Sequence, residues 1–360
     1  MKKFIKHFIL TISIFWAISV LITVSIYTCF KRDFYANYEV NEIVIKQDVF
    51  AKSPAKINTI FLGGSQVYRQ IIPSVFDSLT NNTSYNLGYP GLFFPRSYEA
   101  LDEALKTKRA ADIKNIFIEL APPDRMTFNY NNNPYVYSFD FKTYEQTISS
   151  CTSPNLDRKE KALTFGFWNV LLFYKYSGFA VSKYVNLLLH TNPVAQPDTL
   201  TETRYRKIVA NNEGFVDLNT QKKQLNMGSK KIGELNAFKE EGLAIMKAMT
   251  ARYPSTKPKP EKVNMFAQYI MDYATHLQQE GKNVYFIVGP RELTFVKYGL
   301  AQKRILVQHG FKVFDLSDPK LYPQFYSYDY SFDLLHLNYE GAVLYTQTLA
   351  NLLKESNGQK

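Results

Sequence analysis

Ile57-Asn58-Thr59-Ile60-Phe61-Leu62-Gly63-Gly64-Ser65-Gln66 is the stretch that decides the fold. A short apolar run closed by two glycines reads as a buried strand that stops abruptly. A helical stretch follows over about 66–79, and Pro73 breaks it or starts a second piece. Ser84-Tyr85-Asn86-Leu87 is a second strand candidate, ended by Gly88-Tyr89-Pro90-Gly91. Residues 95–109 place Tyr98, Leu101 and Leu105 on one helical face, and Ile113–Ile118 gives a third strand, stopped by Pro122-Pro123. Strand alternates with helix, so the expectation is an α/β chain with a parallel sheet covered on both faces.

The alternation lapses over about 124–260. Residues 124–160 are rich in Asn and Tyr, 163–190 are apolar enough for a buried helix or pair, and 191–235 are polar and irregular. Lys257-Pro258-Lys259-Pro260 is a stiff connector. Beyond it the pattern resumes: a helix over about 261–280, a strand at Val284–Val288, a helix over about 292–309, a strand at Phe311–Phe314 and a terminal helix over about 339–354. We read 57–355 as one α/β domain with a mainly helical or irregular insertion at about 124–260.

Upstream, Phe8 to Phe30 is a run of 23 residues without a charge. As a helix it is about 34 Å long, enough to cross a hydrocarbon core of about 30 Å. It is longer than a signal-peptide core, and Ile26-Tyr27-Thr28-Cys29-Phe30 offers no A-x-A cleavage site. Residues 1–7 are expected as a cytoplasmic tail, 8–30 as a transmembrane anchor and 31–56 as a juxtamembrane connector. Lys2, Lys3 and Lys6 before the span favour a cytoplasmic amino end, with the remainder exported. A single-pass protein of a bacterial inner membrane, facing the periplasm or exterior, is the expectation.

Composition excludes several classes. The 360 residues carry a formal charge of +11, but five of the 43 bases and none of the 32 acids fall in residues 1–32, which leaves +6 for the rest. No basic stripe suited to nucleic acid is present. Two cysteines, Cys29 inside the span and Cys151, exclude a disulfide framework. No His and carboxylate cluster has metal-ligand spacing, so neither metal nor cofactor is expected.

The chemistry is expected at the two ends of the α/β pattern. Ligands in open parallel sheets gather outside the carboxyl ends of the strands, which is where Ser65 follows the first strand. Ser65 is either a nucleophile or the cap of the helix it opens. Near the other end stands Ser331-Phe332-Asp333-Leu334-Leu335-His336-Leu337-Asn338-Tyr339. A carboxylate three residues before a histidine can fix the ring's tautomer and leave the second nitrogen free as a base. Of five histidines only His336 has this loop setting. His276, with Asp272 four residues before it inside a helix, reads as half of a solvated pair.

These blocks resemble the SGNH/GDSL hydrolase superfamily: Gly-x-Ser after the first strand, Asn86-Leu87-Gly88-Tyr89-Pro90-Gly91 after the second, and Asp333-x-x-His336 before the last helix. The resemblance covers about 57–121 and 280–355. It implies a three-layer, flavodoxin-like parallel sheet, with Ser65 as nucleophile, His336 as base, Asp333 as its orienting acid, and backbone N–H groups of Ser65 and Gly88 as the oxyanion hole. The third block departs from the family. Where Gly-x-Asn-Asp is usual, this chain reads Ile118-Glu119-Leu120-Ala121-Pro122-Pro123-Asp124, and losing one oxyanion donor costs about 10²–10³ in rate. Membrane-anchored DltD-like and alginate-acetylation-like proteins have a similar layout. They imply a serine esterase or O-acyltransferase acting on small acyl esters of envelope polysaccharide, with a membrane-bound O-acyltransferase as partner.

The alternative is an idle module that binds envelope glycan, or scaffolds an acyltransferase, through Tyr130, Tyr135, Tyr137 and Tyr144. Those tyrosines serve equally as a small core of the insertion. Arg291, after Gly289-Pro290, and Glu119 are the candidate substrate contacts; Arg291 serves equally as a surface salt-bridge partner, and Arg69 and Arg125 stand in the same position. If the serine reading holds, Ser65 and His336 must lie within about 3–4 Å of each other.

Overall fold

The computed structural model describes residues 2–36, 41–90, 96–121, 199–218, 239–251, 263, 265–291 and 293–358. The chain divides into two compact units, Met1–Val44 with Met126–Pro197, and Ile45–Arg125 with Asp198–Lys360. Of the first, the described part is chiefly one helix, α1 (Lys2–Ala36), which extends past both ends of the expected span. Its window Lys3–Ile22 is long and apolar enough to cross a membrane, as either a signal anchor or a signal peptide.

The second unit is α/β. Its sheet holds β1 (Thr59–Leu62), β2 (Ser84–Asn86), β3 (Asn115–Glu119), β4 (Asn283–Val288) and β5 (Lys312–Asp315). The order is β2-β1-β3-β4-β5 and every pairing is parallel. The strands are short and buried because helices cover both faces. Phe61 pairs in register with Phe117, and Phe117 with Tyr285, so three rings stand side by side on one face. There they meet Val67 of α3 (Ser65–Gln70), Phe76 of α4 (Pro73–Thr80), and Tyr345, Leu349 and Leu353 of α10 (Tyr339–Ser356). The rings of Phe61 and Phe76 meet edge-on, with centroids 4.9 Å apart. Ile60, Ile116 and Val284 share a register row of opposite facing. Helices α5 (Arg96–Leu105) and α8 (Met265–Gln279) meet through Tyr98 and Tyr273, and α9 (Leu293–Gln308) follows β4.

Local chemistry sets the breaks. The expected helix over 66–79 is two helices, with Pro73 in the first turn of α4 and Asn81 closing it in the left-handed region at φ 54°. Asn338 caps α10 by accepting the Gly341 N–H at 2.9 Å. The connector expected at 31–56 is largely helical: α2 (Asn41–Lys52) buries Ile45, Lys46 and Phe50, and the Tyr85 hydroxyl donates to the Lys46 carbonyl at 2.9 Å.

Most of the expected insertion, including Arg125, Tyr130, Tyr135, Tyr137 and Tyr144, lies outside the described residues. Its described parts are α6 (Thr199–Asn211), residues 212–218, and α7 (Lys239–Ala251). Residues 205–216 join the α/β unit directly. The Tyr205 and Tyr68 hydroxyls are 2.9 Å apart, and the Asn86 N–H donates to the Glu213 carbonyl at 2.8 Å.

Candidate active site

In this all-parallel sheet the strand order switches sides between β1 and β3, and ligand sites of such sheets form outside the carboxyl ends of the strands at that point. The turn Gly63-Gly64 lies there. A Cβ on Gly63 would fall 2.6 Å from Glu119 Cβ, so the turn admits no side chain at that position. Gly64 occupies the N-cap of α3 with no side-chain cap bond, and Ser65 is the first helical residue. The capping alternative for Ser65 therefore fails, and its hydroxyl is turned to a different partner.

That partner is His336, whose Nε2 is 2.9 Å from Ser65 Oγ across 271 positions of sequence. On the other side of the ring, Nδ1 lies 2.9 Å from Asp333 Oδ2 and 3.1 Å from Oδ1. A carboxylate only accepts, so Nδ1 carries the proton and Nε2 is left to accept from the serine hydroxyl. The loop is built for this. Asp333 Oδ1 accepts the N–H groups of both Leu335 and His336 at 2.7 Å, and Ser331 bridges to Leu337 in antiparallel fashion. Burial pushes the Asp333 carboxyl up. The hydrogen bond and charge of His336, with the two N–H groups, outweigh that and hold it below the usual carboxylate range.

A hydrogen-bonded string fixes the serine turn from beneath. The buried Lys46 ammonium donates to the Gly88 carbonyl. The same peptide's N–H, that of Tyr89, donates to the Gly63 carbonyl at 3.0 Å. The N–H of the next peptide, Gly64, donates to Glu119 Oε2 at 2.6 Å. Two opposite charges thus terminate a run of two peptide groups, an arrangement in which each bond polarises the next.

Several candidates stand differently from expectation. Glu119, expected at substrate, is nearly buried with its carboxylate on Gly64, because it closes β3 directly below the turn. Arg291 is fully buried and cannot reach a ligand in the cleft. Its Nε donates to the Phe325 carbonyl at 2.6 Å, Nη1 to the carbonyls of His336 at 2.9 Å and Asp333 at 3.1 Å, and Nη2 to Ser331 Oγ at 2.7 Å. Arg69 is likewise buried, donating to the Val216 carbonyl at 3.1 Å with its guanidinium over the Tyr68 ring. The Gly88 N–H already donates to Asn86 Oδ1 at 2.9 Å, whereas no acceptor among the described residues is bonded to the Ser65 N–H. His276 pairs at 3.3 Å with Glu280, one turn on, and Asp272 accepts instead from Gln268.

Two contributors escaped the sequence reading. Asn86 ties the blocks together, its Nδ2 donating to the carbonyls of Val67 and Ile71 at 2.8 Å while Oδ1 holds Gly88. The only sequence signal was its place just before the second glycine block. Lys46 carried no signal, since a lone lysine on a short helix ordinarily faces water.

Comparison with protein-family models, with curated proteins and with solved structures returned no match. An alcohol, an imidazole and a carboxylate in series form a unit that can deprotonate the alcohol as it attacks an electrophile.

Proposed function

We propose that this chain is a membrane-anchored serine esterase or O-acyltransferase that handles small acyl esters of cell-envelope polysaccharide. The observation that carries the reading is the 2.9 Å approach of Ser65 Oγ to His336 Nε2, with Asp333 on the opposite ring nitrogen.

In the first step His336 Nε2 takes the Ser65 proton while Oγ bonds to the ester carbonyl carbon. The carbonyl oxygen becomes an oxyanion, held by the Ser65 N–H and by the Gly88 N–H once that group leaves Asn86. Collapse expels the alcohol, which takes the proton from His336 and leaves an acyl-serine. Water or a sugar hydroxyl, deprotonated by the same imidazole, then attacks that ester and frees Ser65. Asp333 stabilises the imidazolium throughout.

Acyl transfer rests on the geometry. Envelope polysaccharide as substrate and a membrane-bound O-acyltransferase as partner rest on the resemblance of the motif order to SGNH-type membrane-anchored proteins. The apolar α1 and the flanking lysines support an uncleaved inner-membrane anchor with an exported carboxyl portion.

Saturable p-nitrophenyl acetate turnover by the full chain in detergent, lost in His336→Ala, is the expected result. Two observations favour a second reading, an idle glycan-binding or scaffolding module. The Gly88 N–H is spent on Asn86, and Glu119 stands in the block where the family has its oxyanion asparagine. Retention on envelope glycan without turnover would select it.

A further inference from the structure

Arg291 lies at φ 81°, a left-handed conformation costly for a residue with a Cβ and kept only where the surroundings over-determine it. The preceding Pro290 carbonyl accepts from Gln66 Nε2 at 2.9 Å, on the residue next to Ser65, so the loop is tied to the nucleophile's helix as well. The guanidinium it aims inward has three carbonyls and one hydroxyl as acceptors. Among the described residues no carboxylate lies within ion-pair distance of it. An amide offers two N–H donors and a hydroxyl one, too few for four acceptors, so the position calls for the guanidinium fork.

On the serine reading above, we propose that Arg291 is the positioning residue of the site: its fork, bonded to the carbonyls of Phe325, Asp333 and His336 and to Ser331 Oγ, fixes the Asp333–His336 loop and so presents the imidazole to Ser65. Burial pushes the guanidinium down to about 10, against the opposing charge of Asp333, so it remains a cation at neutral pH.

The test is fluorophosphonate labelling and p-nitrophenyl acetate turnover by the full chain in detergent. Arg291→Lys keeps the charge but not the fork, so labelling of Ser65 should slow about tenfold and kcat fall with KM nearly unchanged. Should the lysine variant fail to fold, Arg291→Gln, which keeps two of the donors, carries the same expectation. Wild-type rates in the folded variant, or a raised KM at constant kcat, overturn the proposal. Wild-type protein that does not label overturns the serine reading instead, while amide exchange over residues 333–337, faster in the variant than in wild type, still decides whether the fork holds the loop.

Discussion

Glu119 accepts the Gly64 N–H at 2.6 Å, so the carboxylate ending β3 holds the peptide immediately before Ser65. Charge-assisted bonds of this kind are roughly twice as strong as neutral ones. Glu119→Gln keeps an acceptor but removes the charge, and kcat for p-nitrophenyl acetate should fall about tenfold with KM nearly unchanged, as expected when a supporting bond weakens at the reacting centre. A raised KM at constant kcat would return Glu119 to the substrate-contact role first expected of it.

Lys46 closes the other end of the same string. Lys46→Met leaves the Gly88 carbonyl buried without its donor, which costs about 1–3 kcal/mol. Denaturant titration should show the midpoint falling with the slope unchanged. Stability equal to wild type would mean that the ammonium holds nothing.

Asp333→Asn should lower kcat/KM about 10³–10⁴-fold, because an amide donor at Nδ1 turns the wrong tautomer toward Ser65. Stability should follow pH with a definite sign. The folded carboxyl lies below its ordinary value of about 3.9, so its contribution is fully present above that value. The contribution fades as pH falls through the folded value. Thermal melts of wild type and variant should therefore differ at neutral pH and converge in strong acid; a gap that widens in acid would contradict the assigned sign.

Phe117 stands between Phe61 and Tyr285, with ring centroids 5.0 and 4.8 Å away. Phe117→Ala should cost about 3–5 kcal/mol, a cavity at the centre of the sheet that cannot collapse between paired strands. A loss under about 1 kcal/mol by urea denaturation would mean that the face is not packed as described.

The layout of the sheet was legible because buried parallel strands make short apolar runs and Gly or Pro follows each of the first four. Pro73 likewise marked its own helix boundary. Helix α2 was not legible, since Lys46, Gln47 and Asp48 interrupt the apolar pattern and the lysine's buried acceptor lies 42 residues away. The same holds for Glu213, whose carbonyl reaches Asn86 from a polar stretch without periodicity. Asp333 and His336 stand out by their local spacing. The partners of Arg291 lie 34–45 residues downstream, so nothing around it in sequence distinguished an inward tie from a surface charge.

Activation of Ser65 as a nucleophile by His336 can be read out by incubating the full chain with a fluorophosphonate and locating the adduct by peptide mass spectrometry. One phosphonylated residue, Ser65, is expected, with labelling abolished in Ser65→Ala and strongly slowed in His336→Ala. Equal labelling of wild type and Ser65→Ala, or an adduct on another residue, would contradict it.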